Sequence, residues 1–525
     1  MREQAAKELF FAVVGHVGSG TTTVARSLKS ALERRDRPDG PYDVHLLKAR
    51  DEIEAWAREQ GKQITRPESP TIAHAQRLQN LGDAMRKEGG DHYRDQDHAA
   101  VARRLVRKVR SVRAMAQGRG EPGEHDIVEP DGAHRAYIFD AVRHPAEVHL
   151  LRSVYQNAFT LIGVVCDDEE ERIKRLSDKY RDAGRDNARE FMARDAKAEE
   201  KYGQRVADAF HLADVFIDNS EERTAAPSAS EHAQPRVADQ LNRIIKLITH
   251  EEIIRPSAAE TAMYHAYGAM MRSACLSRQV GCALLDRHGN VFATGANEVP
   301  RARGGVYGAS IDSGVEEGEA RCAYREHAYC SNTREQEEIV ASLIEDLAKK
   351  GLCTVGAPEN REALTKLLRD SRIGSLLEFS RAVHAEMDAL LTAARGGSSP
   401  VGARAFVTTH PCHYCARHLV AAGIDEVQYI EPYPKSLARK LHEDAITNKV
   451  KEWVPPSRGG SRVLFRPFTG VAPRMYRRAF LKERELKDKK TGDMKFGDVT
   501  WADVWHLGRA SYIELEAKLS YLDGE

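Results

Sequence analysis

Cysteine is scarce, with eight residues among 525. Such sparsity excludes a disulfide framework and points to a reducing compartment, the cytoplasm, where thiolates stay free for metal. Long apolar runs are absent too. No segment approaches the ~20 consecutive apolar residues of a membrane helix. The early run Leu9 to Val14 closes on glycine rather than on an export cleavage pattern. Neither export nor membrane spanning is therefore expected. An excess of one charge is also missing, since Lys+Arg and Asp+Glu both total 79. No global field drives this chain onto nucleic acid or anionic lipid, so any such contact has to be local. No internal repeat is found.

What is present suits a wet-surfaced, enzyme-like chain: 41% hydrophobic residues, 30% charged and 7% aromatic. At roughly 150 residues per domain, two to four domains are expected. Phe10 to Val14, Ala136 to Phe139, Phe159 to Val165 and Asp214 to Ile217 read as short buried strands alternating with helical stretches, the rhythm of a parallel α/β sheet. This first domain is expected over 1–220, with 221–256 as linker and connecting helix. A second domain, 257–525, opens with a helix at Ala258 to Ser273 and a hairpin, Val280 to Leu285 and Val291 to Thr294. It carries an insertion over 301–380 with two amphipathic helical patterns, and an extension over 448–525 with a strand at Val463 to Phe465 and a basic run at Lys482 to Lys490.

The strongest chemical signal combines His384-Ala-Glu386 with Pro411-Cys412-His-Tyr-Cys415. One imidazole and two thiolates supply three ligands of a tetrahedral zinc and leave a fourth position for water, the mark of a catalytic rather than a structural site. Zinc lowers the pKa of such a water toward ~7, and Glu386, free of the metal, can carry its proton to a ring nitrogen and leaving ammonia. Cys412 and Cys415 share the first turn of a helix, where backbone N–H groups favour thiolate. Alone, the C-x-x-C pair would also fit a redox or structural role. His413 reads as a bystander in the spacer.

A second signal is Gly15-His-Val-Gly18-Ser19-Gly20-Thr21-Thr22, which follows the first strand and precedes a helix, the context of a phosphate-cradling loop. Thr21 stands where lysine is usual, so nucleotide binding is expected and phosphoryl transfer is not. Thr22 can approach a magnesium ion, and Asp140, closing the Tyr137 to Phe139 strand, is placed near it. Arg103, Arg104, Arg107, Lys108, Arg110 and Arg113 line one helical stretch without an acidic residue. They read as a basic helix face, with a phosphate or RNA patch as the alternative.

Ser277-Arg-Gln-Val-Gly281, Gly295-Ala-Asn297, His384-Ala-Glu-Met-Asp-Ala-Leu390, Thr408-Thr-His-Pro-Cys-His-Tyr-Cys415 and Glu431-Pro-Tyr-Pro434 stand in the order found in deoxycytidylate deaminases, which the chain resembles from about Ala258 to Ile446. The resemblance implies an α/β/α sandwich, with Asn297 at the deoxyribose or base, Arg278 near the phosphate and Tyr433 lining the pocket. Glu298 departs from the small residue many relatives have. Residues Ala6 to about Leu247 resemble the nucleoside-monophosphate-kinase type of P-loop fold, through the glycine loop, Asp140-Ala-Val-Arg143-His144-Pro-Ala-Glu147 and Phe216-Ile-Asp-Asn219. The fold class expected is thus α/β: a P-loop kinase-like parallel sheet with helices on both faces, then a cytidine-deaminase-like α/β/α sandwich. Together with the tail Phe465 to Pro473, this order resembles bacterial two-domain deaminases of anti-phage defence.

That resemblance implies conversion of deoxycytidine nucleotides (dCMP or dCTP) to deoxyuridine nucleotides. A homo-oligomer is expected, and a compatible reading is a regulated protein whose P-loop half senses a nucleotide, or an RNA or protein regulator, and restrains the deaminase. The alternatives are a nucleic-acid editing deaminase and a bifunctional nucleotide kinase-deaminase. A second zinc is a further expectation. Cys322, His327 and Cys330 crowd together in the insertion, Cys275 or Cys353 can complete a tetrahedron, and family relatives carry a zinc near the position of Cys275.

Overall fold

The computed structural model describes residues 7–35, 40–88, 96–123, 126–198, 200–220, 236–308, 321–353, 358–376, 379–433, 435–450, 453–482, 487–494, 504–505, 509–510 and 512–521. The strands of its two main sheets are, in chain order, β1 (Glu8–Val14), β2 (Asp43–Lys48), β3 (Arg135–Asp140), β4 (Phe159–Val165), β5 (Val215–Asp218), β6 (Gly281–Leu285), β7 (Val291–Ala296), β8 (Arg404–Thr409), β9 (Glu426–Glu431), β10 (Ile446–Thr447), β11 (Val463–Pro467) and β12 (Gly470–Val471). They fall into two compact units, Met1–Pro256 with Thr469–Glu525, and Ser257–Phe468.

The first unit is built on a sheet of order β12-β5-β4-β1-β3-β2. Its strands run parallel except β12, which pairs antiparallel with β5. Every residue of β1 is buried, as a central strand covered on both faces requires. Helix α1 (Thr21–Glu33) turns Val24, Ala25, Leu28 and Leu32 onto the sheet at helical spacing. Helices α2 (Ile72–Glu88), α3 (Ala100–Ala116) and α4 (Arg185–Ala196) follow, and α5 (Val237–Ile248) adds Leu241, Ile244, Ile245 and Ile248 to the same core as α1.

One boundary expectation is corrected here. The stretch expected as linker and connecting helix holds a helix, α5, whose apolar face joins the core of the first unit, while residues 221–235 lie outside the described ones. The extension expected on the deaminase domain stops at Phe468; Thr469–Glu525 belongs to the first unit. The reason is packing. Val471, Met475 and Ala479 complete the core around β1 and α1. Arg478 donates to Asn157 O (2.9 Å), Phe159 O (3.1 Å) and Thr160 Oγ1 (3.0 Å) beside β4. Farther along, Glu516 on helix Tyr512–Tyr521 meets Arg113, which is wholly buried between Glu516 (2.6 Å) and Glu8 (2.8 Å). Arg103 pairs with Asp97 and Arg104 with Glu59, so with Arg113 three of the six basic residues of α3 are held by the unit's own carboxylates, and Arg110 donates to Gly123 O (2.6 Å).

The second unit holds a sheet of order β10-β11-β9-β8-β6-β7. The hairpin β6–β7 is antiparallel, β6 pairs antiparallel with β8, and β8, β9, β11 and β10 run parallel. Helices α6 (Ala258–Met270), α7 (Ala385–Arg395) and α8 (His413–Ala421) pack on it. Two glycines set how closely. A Cβ at Gly281 would lie 1.9 Å from Ala266 O on α6, and one at Gly295 would lie 2.2 Å from Ala385 O and 2.3 Å from Ala389 N on α7. The helix backbones rest directly on the strands at these points, which only glycine permits. Two helices, Ser331–Lys349 and Pro358–Asp370, occupy the expected insertion.

Candidate functional site

The site in the second unit lies where two helices begin. His384 is the N-cap residue of α7 and Cys412 that of α8. Cys415, one turn on, donates its backbone N–H to Cys412 Sγ (3.5 Å). His384 Nδ1 sits 3.3 Å from Cys412 Sγ and 3.4 Å from Cys415 Sγ, and the ligand atoms of the three residues lie within 4.8 Å of one another. Among the described residues this is the one His/Cys/Asp/Glu group with metal-ligand geometry.

Lone pairs that converge this tightly are satisfied only by protons or by a cation. As proton-bearing groups the three perturb one another. The hydrogen bond from Cys415, then that with His384, brings the Cys412 thiol down to about 4. Cys415 is pushed well above the ordinary thiol range by its bond to Cys412 and by burial, and His384 is raised by its bond to Cys412. One soft-to-borderline dication would answer all three donors at once, and a His/Cys/Cys set suits zinc. Glu386 lies in the first turn of α7, 4% exposed, and burial pushes its carboxyl up to about 7. A carboxyl so tuned can both accept and return a proton near neutrality.

The expected substrate residues divide. Arg278 pairs with Glu431 (3.0 Å) and its guanidinium lies over the Tyr433 ring at 5.6 Å. Burial, and next the nearby Cys412, raise the Tyr433 phenol, so Arg278 and Tyr433 border the metal group. Asn297 is committed to its own chain: Oδ1 accepts from Val280 N (2.6 Å) and Nδ2 donates to Arg278 O (2.5 Å). It holds the loop that carries Arg278. Pro434 lies outside the described residues. The second metal expectation is corrected. Cys275, Cys322 and Cys330 line one small cavity of about 30 Å³. Neither these thiols nor His327 come within ligating distance as a group. Cys330 faces Ser277 Oγ (3.1 Å) and Cys322 faces Ser331 Oγ (3.6 Å) instead.

One acidic residue was given no role in the sequence, and a second was noted there only as a departure. Asp388, one turn along α7, accepts from Ala296 N (3.1 Å) and locks that helix to the end of β7. Glu298, 1% exposed, accepts from Ala274 N (2.7 Å) and pairs with Arg321 of the insertion (3.3 Å), while its backbone bridges Val383, just before His384. Its departure from a small residue was the available signal. The physical reading is an anchor for the inserted segment.

The glycine loop of the first unit runs from β1 into α1. Gly18 (φ 84°) and Gly20 (φ 87°) take left-handed conformations. A Cβ at Gly20 would lie 2.2 Å from Asn219 Nδ2, which donates to Ser19 O (2.7 Å). At Gly15 a Cβ would lie 2.5 Å from Ser19 Oγ, a buried hydroxyl oxygen with no hydrogen-bond partner. Thr21 opens α1, and Thr22 Oγ1 donates to Asp140 Oδ1 (3.2 Å), bringing together the two oxygens expected near magnesium. Guanidinium groups surround the loop: Arg143 donates to Gly15 O (3.2 Å) and pairs with Asp195 (2.9 Å), and Arg175 donates to Ser19 O (3.3 Å). Burial, then Arg172 and Arg143, hold His16 down at about 4, so it is neutral. The loop borders a cavity of about 1010 Å³.

A buried carboxyl beside a His/Cys/Cys donor set, on the first turns of two helices that meet a mixed sheet, defines a metal-dependent hydrolytic site of the deaminase class. A family model for the cytidine and deoxycytidylate deaminase zinc-binding region matches residues 256–431. The deoxycytidylate deaminase of Enterobacteria phage T4 is 30% identical over 178 residues, 34% of this chain and 80% of the phage protein. The chain belongs to the cytidine and deoxycytidylate deaminase family. Among solved structures, the dCMP deaminase of cyanophage S-TIM5 in complex with dCMP and dUMP is 17% identical, covering 41% of this chain and 99% of that one at a TM-score of 0.23. Shikimate kinase from Acinetobacter baumannii in complex with shikimate is 15% identical, covering 48% of this chain and 97% of that one at a TM-score of 0.22.

Proposed function

We propose that the chain is a zinc-dependent hydrolytic deaminase that converts deoxycytidine nucleotides, dCMP or dCTP, to deoxyuridine nucleotides. The observation that carries this reading is the convergence of His384, Cys412 and Cys415 with buried Glu386 alongside. Zinc held by the three ligands supplies a Lewis acid that makes water nucleophilic at neutral pH. Glu386 then takes a proton as water adds to C4 of cytosine, delivers it to N3, and assists departure of the amino group as ammonia. Arg278, beside Tyr433, faces the nucleotide phosphate, Tyr433 walls the pocket, and Asn297 acts by positioning the loop that carries Arg278.

The glycine loop of the first unit takes the phosphates of a nucleotide, with Mg²⁺ at Thr22 and Asp140, and regulates rather than transfers. What supports this is the left-handed glycine cradle, the orphaned Ser19 hydroxyl, and the guanidinium groups of Arg143 and Arg175 beside a loop that has Thr21 in place of lysine. A cytoplasmic homo-oligomer that depletes deoxycytidine nucleotides during phage infection, under an RNA or protein regulator, completes the reading.

The test is to incubate purified, zinc-loaded protein with dCMP, dCTP, deoxycytidine and CMP and to follow the deaminated product. Turnover of a deoxycytidine nucleotide is expected. Activity confined to cytosine in oligonucleotides would overturn the substrate assignment, and no turnover of either with zinc bound would overturn the reaction. Plaque counts on cells expressing wild type and Glu386→Ala test the defensive role, which requires protection by the former alone.

A further inference from the structure

The last residues of β8 and β9 lie side by side just ahead of Cys412, and together they fix a carboxylate there. Thr409 is the register partner of Glu431 across the ladder. The Thr409 hydroxyl, on a residue 5% exposed, donates to Glu431 Oε2 (3.1 Å), and His410 N donates to Glu431 O (2.8 Å). One carboxylate oxygen is thus taken up by Thr409. The other, Oε1, pairs with Arg278 Nη2 (3.0 Å). Arg278 is held from its own side as well: Asn297 Nδ2 donates to its carbonyl oxygen, and its guanidinium lies over the Tyr433 ring.

The pair is open to solvent, with 43% of the Arg278 side chain and 29% of the Glu431 side chain exposed. An ion pair so hydrated is weak, and an incoming phosphate can displace it. Charge decides which phosphate gains most. A lone guanidinium attracts a dianion more than a monoanion, whereas a guanidinium with a carboxylate 3.0 Å away presents no net charge and loses that preference. The 5′-phosphate of a monophosphate is a dianion above its second pKa of about 6. The first phosphate of a triphosphate is esterified on both sides and carries a single negative charge.

We propose that Glu431 is a specificity-determining residue: by neutralising Arg278 it removes the advantage of a dianionic 5′-phosphate, so that the site accepts the singly charged first phosphate of a triphosphate as readily as the doubly charged one of a monophosphate. The proposal rests on the reading of Arg278 as the phosphate contact. Glu431 touches no reacting atom. It acts through Arg278 on which nucleotide is held, and Thr409 keeps its carboxylate in place to do so.

The experiment measures kcat and KM of the full-length, zinc-loaded chain at about pH 8, where a monophosphate is a dianion. The substrates are dCMP, its 5′-methyl phosphate ester, dCTP and deoxycytidine, for wild type and Glu431→Gln. The ester differs from dCMP by one charge and one methyl group at the phosphate, and deoxycytidine, with no phosphate, is the reference. Wild type should turn over dCMP and the ester within about threefold of each other in kcat/KM, and Glu431→Gln should favour dCMP over both ester and dCTP by about a further fivefold, the size of an exposed charge-pair effect, through KM rather than kcat. A larger wild-type preference for dCMP over the ester would overturn the proposal, as would a dCMP-to-ester ratio that Glu431→Gln leaves as it was. Equal loss on all four substrates would overturn it too, leaving Glu431 as a brace for the Cys412 loop. In each of these cases nucleotides that still outpace deoxycytidine leave the Arg278 reading standing; nucleotides and deoxycytidine turned over alike by both proteins would overturn that reading and this one together. Should Glu431→Gln fail to fold, the wild-type comparison of dCMP with its ester decides.

Discussion

Replacing Gly295 by alanine adds a single methyl group, yet it should disable the deaminase site. The added Cβ would lie 2.2 Å from Ala385 O and 2.3 Å from Ala389 N, whereas ordinary contact begins near 3.4 Å. Both atoms are helix backbone, so no side chain can turn aside. Relief requires α7 to retreat from β7 by about an ångström, which also stretches the bond from Ala296 N to Asp388. Because α7 carries His384 at its cap and Glu386 in its first turn, that retreat pulls the histidine ligand and the proton carrier away from Cys412 and Cys415 on α8. Overpacking of this kind destabilises by about 1–3 kcal/mol. A misplacement near 1 Å costs about 10²-fold in rate. The assay pairs kcat/KM on dCMP with zinc content and Tm. Gly268→Ala is the control: it sits exposed on α6 with nothing within 4 Å of an added Cβ, and should raise stability by about 1 kcal/mol with rates unchanged. Wild-type turnover and Tm in Gly295→Ala would refute the claim that direct backbone contact sets the site.

Glu386→Ala should lose about 10²-fold or more in turnover while keeping zinc, whereas Cys412→Ser should lose the metal; elemental analysis beside the rate decides, and zinc lost from Glu386→Ala would make that residue a ligand or a fold determinant. Thr21→Lys restores the usual charge of the loop and should tighten tripolyphosphate binding, with robust wild-type kinase turnover counting against the regulatory reading. Glu516→Ala leaves wholly buried Arg113 with one carboxylate fewer and should destabilise the first unit by about 3–5 kcal/mol in thermal unfolding, and an unchanged Tm would mean the tail helix is dispensable. His144 accepts from Ala146 N (3.1 Å) as a helix cap, and burial holds its folded pKa at about 4 against the usual 6.5. The unfolded chain takes up a proton that the folded one refuses, so stability falls as pH drops from about 6.5 to 4, by about 2–3 kcal/mol from this residue, and His144→Asn should flatten that slope.

How much of this was legible depends on whether the chemistry is local. His384, Glu386, Cys412 and Cys415 could be read because their roles follow from spacing along two helix starts, and the structure needs only to bring those starts together. β4 was read to its end residues because Phe159 to Val165 is uncharged and apolar but for Thr160 and Gly163. β2 escaped, since Asp43-Val-His-Leu-Leu-Lys48 mixes charge with apolar residues at the edge of its sheet. The tail was placed with the wrong unit for a like reason. Val471, Met475 and Ala479 are too few to announce a core of their own and become one only beside β1 and α1.

Charge misled where pairing partners lie far off in sequence. The basic stretch of α3 looked like a free face because Glu8 and Glu516, which enclose Arg113, are 105 and 403 residues away. Glu298 gives the converse lesson. A glutamate where relatives have a small residue looks like damage to a substrate pocket, but Arg321, Ala274 and Val383 give it partners that bind the insertion to the strand leading into His384. Spacing thus reports groups that act through their neighbours in the chain, whereas Glu298 and Arg113 act through partners that only the fold brings to them.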